Sequence, residues 1–404
     1  MSTTWRAAAE GETMNKLPEE ILAWPREEGR IGIRNHLVVI ATVFCAEHVT
    51  RVIAREIPGA VPVTHNAGCG QLGEEAEQTL RILESTGYHP NVGAALYVGL
   101  GCEQNSAHDL AAEASAIGRP AEALVIQEAG GTLAAIATGK DACARLRERM
   151  AGESDRVPVP LSKLVVGLEC GGSDFTSGLV SNPAVGLACD RLVDAGASVI
   201  FGETAEALGA EHILSQRAES ETVRRFILDA VARAEQAARE MKVDMRGSQP
   251  SPGNMAGGLS TIEEKSLGAI CKSGSRPIVD GLAYGCRVRK SGLSFMDCPG
   301  QDLASICGLI SGGAHLVLFT TGRGTPLGFA TAPVIKISAN SEAACMMKEN
   351  IDIDLSRVLT GEKSLAGAGE EIFDRVVRVA GGDPANAEVL GHREFGFHSI
   401  GPTL

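Results

Sequence analysis

The chain has 404 residues, 44% of them hydrophobic and 22% charged, enough for two or three ordinary domains with a full core. Its formal net charge of −13 argues against nucleic acid or an anionic membrane as the main partner, because both select a basic surface. Eleven cysteines scattered over a long chain are no secreted disulfide framework, and neither a signal-peptide core nor a membrane-length apolar run is present, so a soluble cytoplasmic protein is expected.

Residues 1–25 lack periodicity and contain Gly11, Pro18 and Pro25, which reads as an N-terminal arm. From residue 26 the pattern sharpens into a first α/β domain, 26–156. Short apolar runs at 37–43, 61–64, 93–98 and 123–126 alternate there with helical patterns at 46–56, 74–85, 106–117 and 133–150. Repeated βα units build a mostly parallel sheet, and such sheets bind ligands outside the carboxyl ends of their strands. The polar segments 64–70, 99–105 and 127–132 fall at three of those ends.

A charged, proline-bearing stretch at 153–160 marks a boundary, and a second α/β catalytic domain, 157–404, follows it. Here a buried strand ending near Val166 runs into a Gly-rich loop, 167–182, with Asn182 as N-cap and Pro183 opening a helix to residue 194. Further strands are expected at 198–202, 316–319 and 334–337, a long helix at 219–242, a linker at 245–260 and a helix capped by Ser260 or Thr261. The expected fold is two Rossmann-like blocks with mostly parallel sheets, the active site lying at the strand carboxyl ends between them.

Metal-ligand residue types collect at the strand ends: His65 with Cys69, Cys102 with Glu103, and Cys170 with Glu169 and Asp174. Three cysteines flanked by glycine can converge on iron or zinc; the alternative is three small thiols filling tight turns, since no Cys-x-x-Cys or His-x-x-x-His occurs. The loop 320–328 supplies Thr320, Thr321, Arg323 and the Gly322 and Gly324 amides directly after a strand. That inventory, with the Ser173 hydroxyl, suits a carboxylate, sulfonate or phosphate. No phosphate-loop, dinucleotide or Gly-x-Ser-x-Gly signature is present, which disfavours an ATPase, a dinucleotide-dependent dehydrogenase and a serine hydrolase.

For proton transfer the candidates are His65, Glu103, Asp174, Lys265 and Lys336. A lysine desolvated in a cleft comes down towards neutrality, which favours Lys265 as base, with Lys336 as a substrate-binding alternate.

Taken in order, Gly32-Ile-Arg-Asn35, His65-Asn-Ala-Gly-Cys69, Gly99-Leu-Gly-Cys-Glu103, Gly167-Leu-Glu-Cys-Gly-Gly-Ser-Asp174, Thr261-Ile-Glu-Glu-Lys-Ser-Leu-Gly268 and Phe319-Thr-Thr-Gly-Arg-Gly-Thr-Pro326 resemble one family. It comprises the altronate and galactarate dehydratases, together with the large subunit of sulfolactate sulfo-lyase. The resemblance implies β-elimination, by dehydration or desulfonation, from a small anionic 2-hydroxy acid such as a sugar acid, leaving a 2-keto acid. It implies ferrous iron, with an iron-sulfur cluster or Mn2+ as alternatives, and the strand-end inventory offers some of His65, Cys69, Cys102 and Cys170 to hold it. Lys265, Glu103 and Asp174 are then the catalytic candidates, and a homo-oligomer is expected.

Two features depart from the family pattern. Many members begin with a small β-rich domain where this chain has a short arm, which implies a separate small subunit or a lineage without one. Cys298 stands where the family's Met-Asp-Thr-Pro pattern has threonine. The competing reading is a noncatalytic subunit, a scaffold that binds a sugar acid and a small partner.

Overall fold

The computed structural model describes residues 20–152 and 155–401. β1 (Glu20–Pro25) and β2 (Ile31–Gly32) precede a parallel sheet of β3 (His36–Ala41), β4 (Ala60–Val63), β5 (Val92–Gly99) and β6 (Ala121–Val125). Its order is β4-β3-β5-β6, and α1 (Glu47–Glu56), α2 (Glu74–Gly87), α3 (Ala107–Ala116) and α4 (Thr132–Ala151) connect and flank it. β7 (Val157–Pro160) then returns to pair antiparallel with β1, as β2 does.

Residues 1–19 of the expected arm lie outside the described residues, and its last six residues are a strand instead. Ile21 and Ala23 are buried while Glu20 and Leu22 face outwards. That alternation is too short to stand out before its partner, more than 130 positions later, is known.

The second sheet has seven parallel strands: β8 (Val165–Gly171), β9 (Ser198–Phe201), β10 (Ile278–Leu282), β11 (Gly292–Met296), β12 (Leu316–Thr321), β13 (Val334–Ser338) and β14 (Ile353–Asp354). The order is β10-β11-β9-β8-β12-β13-β14. Its helices begin with α5 (Asn182–Asp194), α6 (Glu211–Gln216), α7 (Glu221–Glu240), α8 (Met245–Ser248), α9 (Pro252–Ala256), α10 (Ile262–Ile270) and α11 (Asp302–Ser311). The expected linker at 245–260 thus contains two single-turn helices, capped by the side chains of Asp244 and Ser251. An all-parallel sheet must be covered on both faces, and β11 and β12 are accordingly buried along their whole length.

The chain leaves β8 towards β9 on one side and leaves β12 towards β13 on the other. The adjoining ends of β8 and β12 are therefore a topological switch point, where an open α/β sheet leaves a crevice. The two blocks join near the amino ends of their strands: Asn91 Nδ2 donates to the His315 and Thr331 carbonyls at 2.9 and 3.0 Å. α2 also packs on α11, and Ile82 of α2 enters the second block's core. No helix among the described residues is long and apolar enough to cross a membrane.

Candidate active site

β8 extends further than expected, so Glu169, Cys170 and Gly171 belong to the strand, and Cys170 lies in register with Thr320. The Gly-rich loop that follows is held by Asp174. Its Oδ1 accepts from Thr176 Oγ1 at 2.7 Å and the Ser177 amide at 3.0 Å, and its Oδ2 accepts from Asn340 Nδ2 at 2.8 Å. Gly322 packs so tightly on this carboxylate that an added Cβ would sit 2.3 Å from Asp174 Cγ, which locks the loops after β8 and β12 together.

Asn182 is not an N-cap. A π-helical turn, Ser177–Ser181, precedes it, and Asn182 is itself helical at φ −66° and ψ −45°. Pro183 has no N–H to return to the preceding turn, consistent with the wider winding there. The Asn182 side chain instead ties three elements: it donates to Cys170 Sγ at 3.4 Å and the Gly268 carbonyl at 3.0 Å, and accepts from Thr320 Oγ1 at 2.6 Å.

A buried ionic cluster occupies the carboxyl ends of β8 and β9. Lys272 Nζ lies 2.6 Å from Glu203, and Lys265 Nζ lies 2.8 Å from Glu206. Ser305 Oγ donates to Glu169 Oε2 at 2.5 Å, and the Cys170 amide donates to Glu203 Oε2 at 3.1 Å. Glu169 Oε1, Glu203 Oε1 and Glu206 Oε2 are buried without a hydrogen-bond partner. Burial, then the neighbouring Glu203 charge, pushes the Glu169 carboxyl well above its ordinary range. Burial also raises Glu203 against the pull of Lys272.

Lys265 reverses the expectation drawn from its sequence. Burial lowers its pKa, but Glu206, aided by Cys170 and Glu203, outweighs burial and the net direction is up, so this ammonium is held charged. Lys265 also lines a cavity of about 300 Å³ together with Ser173, Asp174, Phe175 and Leu259, linking that space to the glutamates.

The first block's candidates stand apart from this cluster. His65 is buried with both ring nitrogens engaged, Nε2 at 2.8 Å from the Ala41 carbonyl and Nδ1 accepting from the Ala67 amide at 3.1 Å. Burial takes its pKa down to about 4, so the ring is neutral. Glu103 Oε2 accepts from the amides of Leu100, Gly101 and Cys102, and Oε1 accepts from Thr42 Oγ1. Burial alone would raise this carboxyl, yet those donors together hold it below its ordinary value.

Cys69 and Cys102 are exposed, whereas Cys170 is buried in the second block with its thiol pushed up by burial and by Glu206. Among the described residues no three His, Cys, Asp or Glu side chains gather as a metal site. As folded here, His65, Cys69, Cys102 and Cys170 do not fit a shared metal: the His65 ring is spent on backbone groups, and Cys170 is buried in the second block while Cys69 and Cys102 are exposed in the first.

In the loop after β12, Thr320 is buried on Asn182, and Thr321 Oγ1 accepts from the Gly324 amide at 3.0 Å. Arg323 is exposed, with Nη1 donating to the Gly253 carbonyl at 3.2 Å. Lys336 Nζ donates to the Leu327 carbonyl at 3.0 Å, and burial lowers its pKa to about 8 against Asp352 and Glu394. Glu203 and Glu206 follow a strand end, a position that could have been weighed from sequence. Lys272 and Ser305 sit in no recognisable pattern, and sequence reasoning missed them.

The D-galactarate/altronate dehydratase C-terminal family model matches residues 161–403, and the D-galactarate dehydratase/altronate hydrolase second-domain model matches residues 23–151. The chain is 37% identical over 382 residues to the (2R)-sulfolactate sulfo-lyase subunit beta of Chromohalobacter salexigens, covering 93% of this chain and 96% of that one. It is 34% identical over 401 residues to the altronate dehydratase of Escherichia coli, covering 95% and 79%. For the altronate dehydratase of Bacillus subtilis the identity is 35% over 398 residues, covering 94% and 77%. The two family models between them span both parallel sheets and every strand-end loop described above, and the chain belongs to the galactarate/altronate dehydratase family.

Proposed function

We propose that this chain is the catalytic part of a lyase that removes water or sulfite from C3 of a small 2-hydroxy acid, leaving a 2-keto acid. Its family membership supports the reaction class, since relatives are named as dehydratases and as a sulfo-lyase subunit. The observation that carries the reading is the buried cluster in which three glutamates each keep an orphaned oxygen beside two lysines. Orphaned buried acceptors cost stability, and a scaffold has no use for them.

Elimination needs an acceptor for the C2 proton, positive charge facing the enediolate and a donor for the departing group. Glu206, through its free oxygen, takes the C2 proton. Lys265 and Lys272 supply the positive charge, Lys265 from the wall of the cavity. Glu169, kept protonated by burial and by Glu203, gives its proton to the hydroxyl that leaves as water; the enol then tautomerises to the keto acid. Arg323, with Ser173 nearby, meets the substrate's carboxylate, while Glu103 and Asp174 shape their own loops rather than move protons.

Ferrous iron, with a cluster or Mn2+ as alternatives, is proposed on the family resemblance alone, since the His65, Cys69, Cys102 and Cys170 set does not fit it as folded here. None of the steps assigned above is routed through it. A small partner subunit is also proposed, because the sulfo-lyase relative is by name one subunit of an assembly.

The test offers altronate, galactarate and (2R)-sulfolactate in D2O, with iron and with or without a small subunit, and follows keto-acid formation, sulfite release and C2 exchange. Turnover of one acid is expected. An acid that binds yet never exchanges or reacts under all these conditions would establish the scaffold reading instead.

A further inference from the structure

A cavity of about 740 Å³ lies at the other end of the molecule from the glutamate cluster. It is lined by Val165 and Ser198, the first residues of β8 and β9, and by His89 and His315, just before β5 and β12. It therefore sits at the amino ends of the strands, between the two blocks. Its walls carry Arg30, Lys163, Arg287, Arg289 and Lys290 against Glu28 and Glu84. Asp280 beside Lys290, and Glu27 and Arg119 beside Arg30, bring the count to six cations and four carboxylates, an excess of two positive charges in a chain whose overall charge is −13.

Part of that charge has no internal answer. Arg30 Nη1 donates to the Tyr88 carbonyl at 2.9 Å, but Nε and Nη2 are buried without a hydrogen bond. The nearest carboxylates, Glu27 and Glu28, stand 3.6 and 3.9 Å away, beyond hydrogen-bond reach. Arg287 is paired with Glu28 at 3.1 Å and Lys290 with Asp280 at 3.6 Å, whereas Lys163 and Arg289 have no ion-pair partner among the described residues. Burial, then repulsion from Arg287 and Arg119, lowers Arg30 to about 10 against the opposing pull of Glu27 and Glu28.

We propose that this interdomain cavity binds a small phosphate-bearing organic anion, such as a phosphorylated hydroxy acid, at a site separate from the one that handles the 2-hydroxy acid. Its volume falls in the range of small-molecule sites. A phosphate monoester brings close to two charges, matching that excess, and oxygens matched to a guanidinium edge. Arg30 and His89 come from the first block and its approach, Lys163 and Arg289 from the second, so an occupant ties the blocks together.

Isothermal titration of the whole chain with 3-phosphoglycerate, inorganic phosphate and citrate at matched ionic strength tests this. 3-Phosphoglycerate is expected to bind one saturable site, to raise the melting midpoint and not to compete with the 2-hydroxy acid. The double substitution Lys163→Ser, Arg289→Ser should weaken that binding by about tenfold or more, with the unliganded melting midpoint and ligand-free turnover unchanged. Inorganic phosphate binding the same site as tightly would support the phosphate chemistry and make free phosphate its source. The proposal falls if neither phosphate binds saturably, if citrate binds equally well, if the double variant keeps its affinity, or if substrate displaces the ligand.

Discussion

Lys272 places its ammonium 2.6 Å from the Glu203 carboxylate, with both side chains withdrawn from solvent. The Lys272 ammonium depends on this carboxyl as its acceptor, because the surroundings offer no water to solvate a charge left alone. Lys272→Met is expected to cost about 3–5 kcal/mol in urea unfolding, the usual range for breaking a buried pair. Adding Glu203→Gln should recover most of that stability but not turnover. A single variant as stable as the native chain would show that the pair is not what holds these strand ends.

Glu206 and Lys265 separate base from charge. Glu206→Gln should abolish exchange of the C2 proton with solvent deuterium while leaving the fold intact. Lys265→Met should slow exchange and turnover together by roughly 10²-fold or more, as removal of a preorganised stabilising group does. Wild-type exchange in the Glu206 variant would remove that carboxylate from the mechanism.

Lys336 predicts a pH dependence. Burial lowers it from 10.5 to about 8, so between those values the unfolded chain holds a proton that the native state lacks. Stability therefore rises with pH across that window, and below pH 8 the folded state carries the whole cost of the buried ammonium, roughly 3 kcal/mol. Lys336→Met should flatten urea midpoints measured through the window. A variant with the native slope would assign the dependence to other groups.

Arg323 is the exposed cation of the loop after β12. Arg323→Lys keeps a positive charge and loses the planar fork, so KM should rise about tenfold, near 1.4 kcal/mol, with kcat little changed. Native kinetics would make the loop structural.

Cys69 and Cys102 are exposed and unassembled, so serine at either position should leave turnover within about twofold of native, the latitude of an ordinary surface substitution. Iron content and absorption of anaerobically purified protein are the companion measurements. Loss of bound iron in either variant would restore the His65, Cys69, Cys102 and Cys170 set.

Much of the architecture was legible in the sequence, because buried parallel strands are short apolar runs and the helices between them show amphipathic periodicity. β3 to β6 and the helices between them fall within a few residues of their expected bounds. The strand-end loops were legible too, since glycine and polar residues interrupt those runs. The small sheet joining β1 to β7 was not: its pairing spans the entire first block, and two short strands carry no mark of each other.

The site divides in the same way. Residue types and order along the chain determined the family and put the polar loops at the strand ends. Only the tertiary structure decided what each group is free to do. Asp174 and Glu103 have the composition of catalytic carboxylates, yet local amides and hydroxyls take up their oxygens. Lys265 reads as a lysine awaiting desolvation, but a carboxylate from a loop 59 residues away keeps it charged. Protonation and hydrogen-bond capacity depend on distances to groups far along the chain, and those distances are set by packing rather than by sequence spacing.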